Sequence, residues 1–265
     1  VKIGVIGLGV VGSAIKYGFE KLGHVIGIHD PKLNTTVNDV MDSEIVFLCV
    51  PTPQGVDGSC DTTIITNVLE ELSGSNYKGI VAIKSTVECG YTQGAIDRFQ
   101  DLTLCFVPEF LRERCAEDDF IHNHNLLAVG TNDKFVFDKL IEAHGHYPKH
   151  TVKLKPTEAE ILKYYNNVFA AYKIIFANIM AEVCGKLDCD YTAVKDAFVK
   201  FGRCRDSYLD VNENLKGYGG VCLPKDVKAM IKLLEKLDID FDTFESIDSD
   251  NSKLKTTVFN GMRKQ

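Results

Sequence analysis

Apolar residues in the first 130 positions fall in short unbroken runs, at 2–6, 25–29, 45–50, 80–84, 102–107 and 126–129. The runs are rich in Val, Ile and Leu and do not alternate with polar residues, which is the pattern of strands buried on both faces. Between them lie stretches of helical character, the first expected over 12–22. Strand and helix signals in alternation predict βαβ units with right-handed crossovers, hence an α/β fold with a mostly parallel, Rossmann-type sheet covered by helices.

From Lys155 the pattern changes. Pro156 suits the first turn of a helix, where its missing N–H has no intrahelical partner to lose. Thr157, Glu158 and Glu160 place acid near the positive helix end. The stretch that follows has no proline up to Gly185, and Ile161, Tyr165, Val168, Phe169, Tyr172, Ile175, Phe176, Ile179 and Met180 recur three and four apart. Such a helix would be about 45 Å long at ~1.5 Å per residue. It is apolar over much of its girth, so it is expected to be buried on several sides or shared with a second subunit. Shorter helices are expected at 191–201, 226–237 and 244–255, with a loop over 202–220. The expected organisation is a sheet domain at 1–150, an all-helical domain with a long central helix at 151–245, and a mobile tail at 246–265.

Composition narrows the function classes. The chain has 265 residues, a net charge of −7 and 45% hydrophobic residues. It has no basic block of the kind that displaces counterions from nucleic acid. No apolar run approaches the ~18 residues of a membrane span, and the opening "VKIGVIGLG" reads as a strand rather than a signal peptide. The nine cysteines (49, 60, 89, 105, 115, 184, 189, 204 and 222) include no C-x-x-C pair. That spacing points away from zinc or a disulfide framework and toward reduced thiols in a cytoplasmic protein, with no metal expected. Cys49 and Cys105 sit inside apolar runs and read as small core residues.

Two kinds of chemistry stand out. "GVIGLGVVG" holds Gly7, Gly9 and Gly12 in a G-x-G-x-x-G arrangement after the first strand. These glycines permit a tight turn, close approach of a pyrophosphate, and close packing of helix on strand, and the helix that follows offers free N–H groups to the anion. Asp30 ends the second strand, 18 residues after Gly12. A carboxylate there accepts from a ribose diol and repels a 2′-phosphate, which favours NAD. Asp30 before Pro31 would also suit a plain turn.

The second kind is spread over five stretches: "VPTP" at 50–53, "KSTV" at 84–87, "PEFLRE" at 108–113, "KYYNN" at 163–167 and "GYGGVCLPKD" at 217–226. The first three follow strand ends, where open α/β sheets bind ligands. Lys163 and Asn167 are four apart and share one helix face. In this order the motifs resemble the UDP-glucose/GDP-mannose dehydrogenase family over about residues 1 to 255. The resemblance implies oxidation of a nucleotide-sugar C6 alcohol to a carboxylate with two NAD, most closely UDP-glucose to UDP-glucuronate, through a cysteine thiohemiacetal and thioester. It assigns the nucleophile to Cys222, with Lys163, Asn167, Asp226, Glu109, Glu113 and Thr86 as catalytic partners. Cofactor contacts fall on Gly7, Gly9, Val10, Val11, Gly12, Asp30, Val50, Pro51, Thr52, Thr86, Glu113 and Lys225. Substrate contacts fall on Phe110, Leu111, Arg112, Lys163, Asn167, Tyr218 and Gly219, and a homodimer through the long helix is implied. The residue types are coherent: a thiolate is favoured near a cation, and an ammonium and an amide on a rigid helix can receive charge developing on oxygen.

The match has limits. The family carries a further C-terminal α/β domain, and this chain ends 39 residues after Asp226, too short for it. The arginine that precedes the cysteine motif in the family corresponds to Arg203 or Arg205. Tyr218 reads equally as packing or as a platform for a base. Two other functions fit parts of the pattern. A single-step NAD-dependent β-hydroxyacid dehydrogenase also joins a Rossmann domain to a helix with Lys-x-x-x-Asn, and a truncated protein could bind NAD or a nucleotide sugar without turnover.

Overall fold

A computed structural model of the chain describes residues 1–55, 58–212 and 214–254. The expected mobile tail lies, from Lys255 onward, outside the described residues. The backbone forms two compact units, one of Val1–Gly55 with Cys60–Lys163 and a second that begins its main run at Tyr164.

The first unit is built on a seven-stranded sheet. Its strands are β1 (Lys2–Ile6), β2 (Val25–His29), β3 (Ile45–Leu48), β4 (Ile80–Ile83), β5 (Thr103–Phe106), β6 (Leu126–Gly130) and β7 (His150–Leu154), in the order β2-β1-β3-β4-β5-β6-β7. All neighbours are parallel except β5 and β6, which meet antiparallel at Phe106 and Gly130. The connecting helices are α1 (Val10–Lys21), α2 (Thr63–Gly74), α3 (Tyr91–Arg98), α4 (Ala116–Ile121) and α5 (Lys134–His144). Successive strand residues face opposite sides, so the apolar runs feed two cores. Ile3, Val5, Ile45, Phe47 and Ala82 enter one cluster, while Ile6, Val46, Leu48, Val81 and Ile83 enter the other. Each fully buried Val, Ile, Leu or Phe contributes roughly 1.5–3 kcal/mol relative to exposure.

The pattern of apolar runs gives six of the seven strands. β7 escapes it because "HTVKL" is an edge strand, paired to β6 alone and half exposed along its length. Edge strands need no continuous apolar run.

The long helix α6 (Pro156–Lys186) runs 31 residues without interruption, with Pro156 at its start. Its residues through Lys163 belong to the first unit and those from Tyr164 to the second. Glu158 caps its own helix by accepting from the Lys155 N–H at 2.8 Å. Glu160 does something the sequence reading did not anticipate. Fully buried, it accepts from the Gly90 and Thr92 N–H groups at 2.6 and 2.7 Å and so caps α3.

The second unit continues with α7 (Tyr191–Lys200), α8 (Cys222–Lys236) and α9 (Thr243–Lys253). Its core gathers Val168, Ala171, Ile175, Tyr218, Val227 and Ile247. Another face of α6 stays exposed in the chain, with Tyr165, Phe169, Tyr172, Phe176, Ile179 and Val183 each 43% exposed or more. The steps between them are four, three, four, three and four residues, the repeat of a helix seam. Among the described residues α6 is the one helix long and apolar enough to cross a membrane by length and composition, and 39% of its most apolar stretch is buried within the protein.

α8 starts at Cys222, four residues before the expected start. Pro224 falls in its first turn, where proline is tolerated because its N–H would find no partner.

Candidate active site

The fingerprint turn follows β1. Gly7 has φ of +90°, and a Cβ on it would meet the Cys49 carbonyl oxygen at 2.7 Å. A Cβ on Gly12 would stand 1.9 Å from the Gly7 carbonyl oxygen, so only glycine lets α1 close on the turn. Gly9 differs, because nothing lies within 4 Å of where its Cβ would be. It is the N-cap of α1, no side chain caps that end, and no acid stands in the first turn. Val10 is exposed and Val11 half-buried there. Open space beside a helix start with uncapped N–H groups is what a pyrophosphate needs.

Asp30 reaches back from the end of β2. Its carboxylate accepts from the Leu8 N–H at 2.7 Å and the Lys32 N–H at 2.9 Å. These two backbone donors, Leu8 first, hold its carboxyl below the usual range. It therefore offers an ionised acceptor beside the turn. The residues present fit a dinucleotide with a free ribose diol.

The loops after β3, β4 and β5 are tied together. Val50 is buried and its carbonyl accepts from the Ser85 hydroxyl at 2.6 Å. Pro51 is exposed, and Thr52 and Thr86 are half-buried. The Thr86 carbonyl accepts from the Cys60 thiol at 3.1 Å. Lys84 and Glu109 form an ion pair at 3.0 Å with side chains 3% and 10% exposed. The other Glu109 oxygen accepts from the Leu111 N–H at 2.6 Å, and the Lys163 ammonium donates to the Glu109 main-chain carbonyl. The Phe110 ring lies 5.7 Å from that ammonium. Burial pushes the Glu109 carboxyl up, but Lys84, Lys163 and the Leu111 N–H outweigh it and leave the group below its ordinary value.

Other members of the "PEFLRE" motif go elsewhere. Leu111 packs against the sheet core. The Arg112 guanidinium forks onto Asp119 at 2.6 and 2.9 Å. Glu113 is exposed on the short turn Glu113–Cys115.

In the second unit Asn167 and Asp226, 59 positions apart, are joined by an amide-to-carboxylate hydrogen bond of 2.6 Å. Asp226 is fully buried and its second oxygen lies 3.2 Å from the Lys225 ammonium. Cys222 is exposed at the first residue of α8. Tyr218 is 2% exposed, packed in the unit's core, with its N–H and C=O both held by the Asn251 side chain at 2.7 and 2.9 Å. Its placement serves packing, and Gly219 beside it is half-buried. Arg203 and Arg205 are exposed on the loop before the motif. Lys195 anchors that loop through Asp206 at 3.1 Å and Asp210 at 2.6 Å.

The expected residues thus gather in three groups: the glycine turn with Asp30, Glu109 with Lys163, and Asn167 with Asp226 and Lys225. The sequence reading passed over Lys84. The signal was present in "IVAIK", a lysine closing an apolar strand, where a solvated end residue would be the ordinary reading. Of the two cysteines read as core residues, Cys105 is fully buried and Cys49, partly buried, packs against the same core.

Comparison with known proteins identifies the chain's relatives. The UDP-glucose/GDP-mannose dehydrogenase family, NAD binding domain, matches residues 28–146, and the family's central domain matches residues 157–253. UDP-glucose 6-dehydrogenase AglM of Haloferax volcanii is 30% identical over 87% of this chain and 64% of its own length. The UDP-glucose 6-dehydrogenase of Pseudomonas aeruginosa is 29% identical over 82% of this chain and 50% of its own length, so the chain spans about half to two thirds of these relatives. Among solved structures, a UDP-glucose dehydrogenase from Pyrobaculum islandicum superposes with a TM-score of 0.86 at 26% identity, covering 95% of this chain and 68% of that one. A 3-hydroxyisobutyrate dehydrogenase from Mycobacterium tuberculosis shares the fold alone, with a TM-score of 0.77 at 13% identity over 95% of this chain and 92% of that one.

Proposed function

We propose that this chain, which belongs to the UDP-glucose/GDP-mannose dehydrogenase family and takes NAD as its cofactor, oxidises the C6 alcohol of a nucleotide sugar, UDP-glucose first among them, to the carboxylate. The observation that carries the reading is an exposed Cys222 at the start of α8 with Asp226 buried one turn later and bonded to Asn167. Bound NAD supplies a hydride acceptor, and two equivalents are reduced per sugar.

The residues divide the work. The alcohol loses its proton and a hydride to give an aldehyde. Cys222 sulfur adds to that carbonyl and forms a C–S bond, which keeps the aldehyde from escaping between oxidations. Loss of a second hydride leaves a thioester, and water breaks its C–S bond, releasing the acid and the thiol. The Lys163 ammonium and the Asn167 amide receive charge on oxygen, and the N–H groups opening α8 favour the sulfur anion. Asp226, Glu109 or Glu113 orients or activates the attacking water. Thr86, Val50, Pro51, Thr52, Glu113 and Lys225 wall the cofactor, and Phe110 and Gly219, with the main chain of Leu111 and Arg112, meet the sugar nucleotide. On this reading the exposed seam of α6 is the surface through which two chains pair, and the free thiols suit an enzyme of the reducing cytoplasm.

The test is NADH yield with UDP-glucose, GDP-mannose and UDP-N-acetylmannosamine side by side. Two NADH per sugar with UDP-glucose support the reading. One NADH from a β-hydroxyacid, the activity for which fold likeness alone speaks, overturns it. So does tight NAD binding without turnover of any nucleotide sugar.

A further inference from the structure

We propose that Lys84 is a positioning residue that sets the charge felt at Lys163: its buried ammonium occupies the Glu109 carboxylate, leaving Lys163 to meet the Glu109 main-chain carbonyl instead. The inference rests on the dehydrogenase reading above, in which the Lys163 ammonium answers charge developing on oxygen.

The geometry is local to the ends of adjacent strands. β4 and β5 run parallel with Ile83 opposite Phe106, so Lys84 leaves one strand end beside the segment leading to Glu109. The pair closes at 3.0 Å with both side chains nearly dry. Leu111 N–H takes the other carboxylate oxygen at 2.6 Å and fixes the backbone on which the 109 carbonyl is carried. Lys163 arrives from α6 and is itself buried, at 8% exposure.

The remaining titratable groups that face Glu109 are neutral. The Cys49 thiol, at the end of β3, is pushed up to about 12 by burial, and the His124 imidazole is pushed down to about 4 by burial. The cluster therefore holds two cations and one anion. Without Lys84, a dry carboxylate would turn to the next cation within reach, since an uncompensated buried charge is strongly unfavourable. Lys163 would then be neutralised by an ion pair at the place where the reaction needs its charge.

The prediction is a cycle of signs, read as the protonated-to-neutral ratio of Lys163 at one alkaline pH by 13Cε NMR of lysine-labelled chain. Lys84→Met raises that ratio about tenfold and Glu109→Gln lowers it about tenfold, each the equivalent of roughly one pK unit. The double variant, which removes both charges of the pair, returns to within about threefold of wild type. In turnover with UDP-glucose, Lys84→Met lowers kcat about tenfold and leaves KM for NAD unchanged.

A Lys163 ratio unmoved in folded Lys84→Met overturns the assignment. If Lys84→Met does not fold, Glu109→Gln and the double variant decide, and a double variant tenfold away from wild type overturns it equally. The ratios need no turnover, so they separate two failures. A flat ratio in a chain that oxidises UDP-glucose removes the role of Lys84 alone. The expected ratios in a chain that oxidises no nucleotide sugar remove the reaction and leave the charge cluster standing.

Discussion

The sheet unit buries its apolar runs in two cores and exposes apolar residues singly, whereas the helical unit leaves a continuous row of them exposed. Strand residues of the first alternate between two buried clusters. The second has a smaller core and carries a row of exposed aromatic and aliphatic side chains on α6, with Val194, Phe198 and Phe201 exposed as well. The two units also differ in what they hold. The glycine turn and Asp30 belong to the first, and Cys222 with the Asn167–Asp226 pair to the second. A self-contained fold is suited to a fixed cofactor cradle, and an apolar face left open asks for a partner.

The sharpest break of this division comes from Cys222→Ala. It is expected to bind NAD as before, by calorimetric titration, while formation of the acid falls by more than about 10³-fold. Undiminished acid from the variant would refute covalent capture. The mirror experiment is Gly9→Ala, whose new methyl group enters the open space beside the helix start. NAD affinity should fall about 10–100-fold, roughly 1.4–2.8 kcal/mol, with the melting temperature unchanged. Gly12→Ala, forced against the Gly7 carbonyl, should lose both binding and stability.

The sequence reading was strongest where periodicity is local. Parallel strands, the fingerprint turn and the 31-residue helix all announce themselves within a window of a few residues. What it could not give were pairings between distant positions. Nothing near Glu160 tells that it caps α3 rather than its own helix, and nothing near Asn167 points to Asp226. Lys84 was missed for the same reason, since its partner lies in the loop beyond the end of the next strand. β7 was lost to its edge position, where alternating Thr, Lys and His carry no continuous apolar signal.

Smaller effects sharpen the contrast between units. Tyr165→Glu with Phe169→Glu should shift the proposed dimer toward monomer by about tenfold or more in sedimentation equilibrium, with the sheet unit's NAD affinity intact. A dimer of undiminished stability would assign the seam to something else.

The last prediction concerns acid and falls on the sheet unit. His144 is fully buried and held well below its ordinary value, chiefly by burial, and His124 is brought to about 4 by the same cause. Folding therefore prefers the neutral imidazoles. Their contribution is complete above the unfolded value near 6.5 and is lost as pH falls toward about 4. His144→Phe, filling a site already lined by Phe19, Phe47 and Phe120, should flatten the acid side of a urea stability curve by up to ~1.4 kcal/mol per pH unit. An unchanged slope would mean that His144 is not the group being charged.

The border of the sheet bears on how copies can meet. β7 ends the ladder on one side, and Lys149, His150, Lys153 and Lys155 decorate that rim. A neighbour attempting to extend the hydrogen-bonded array there would have to bring its own strand against a fringe of positive charge. A rim of this kind guards an open edge against runaway strand-by-strand stacking.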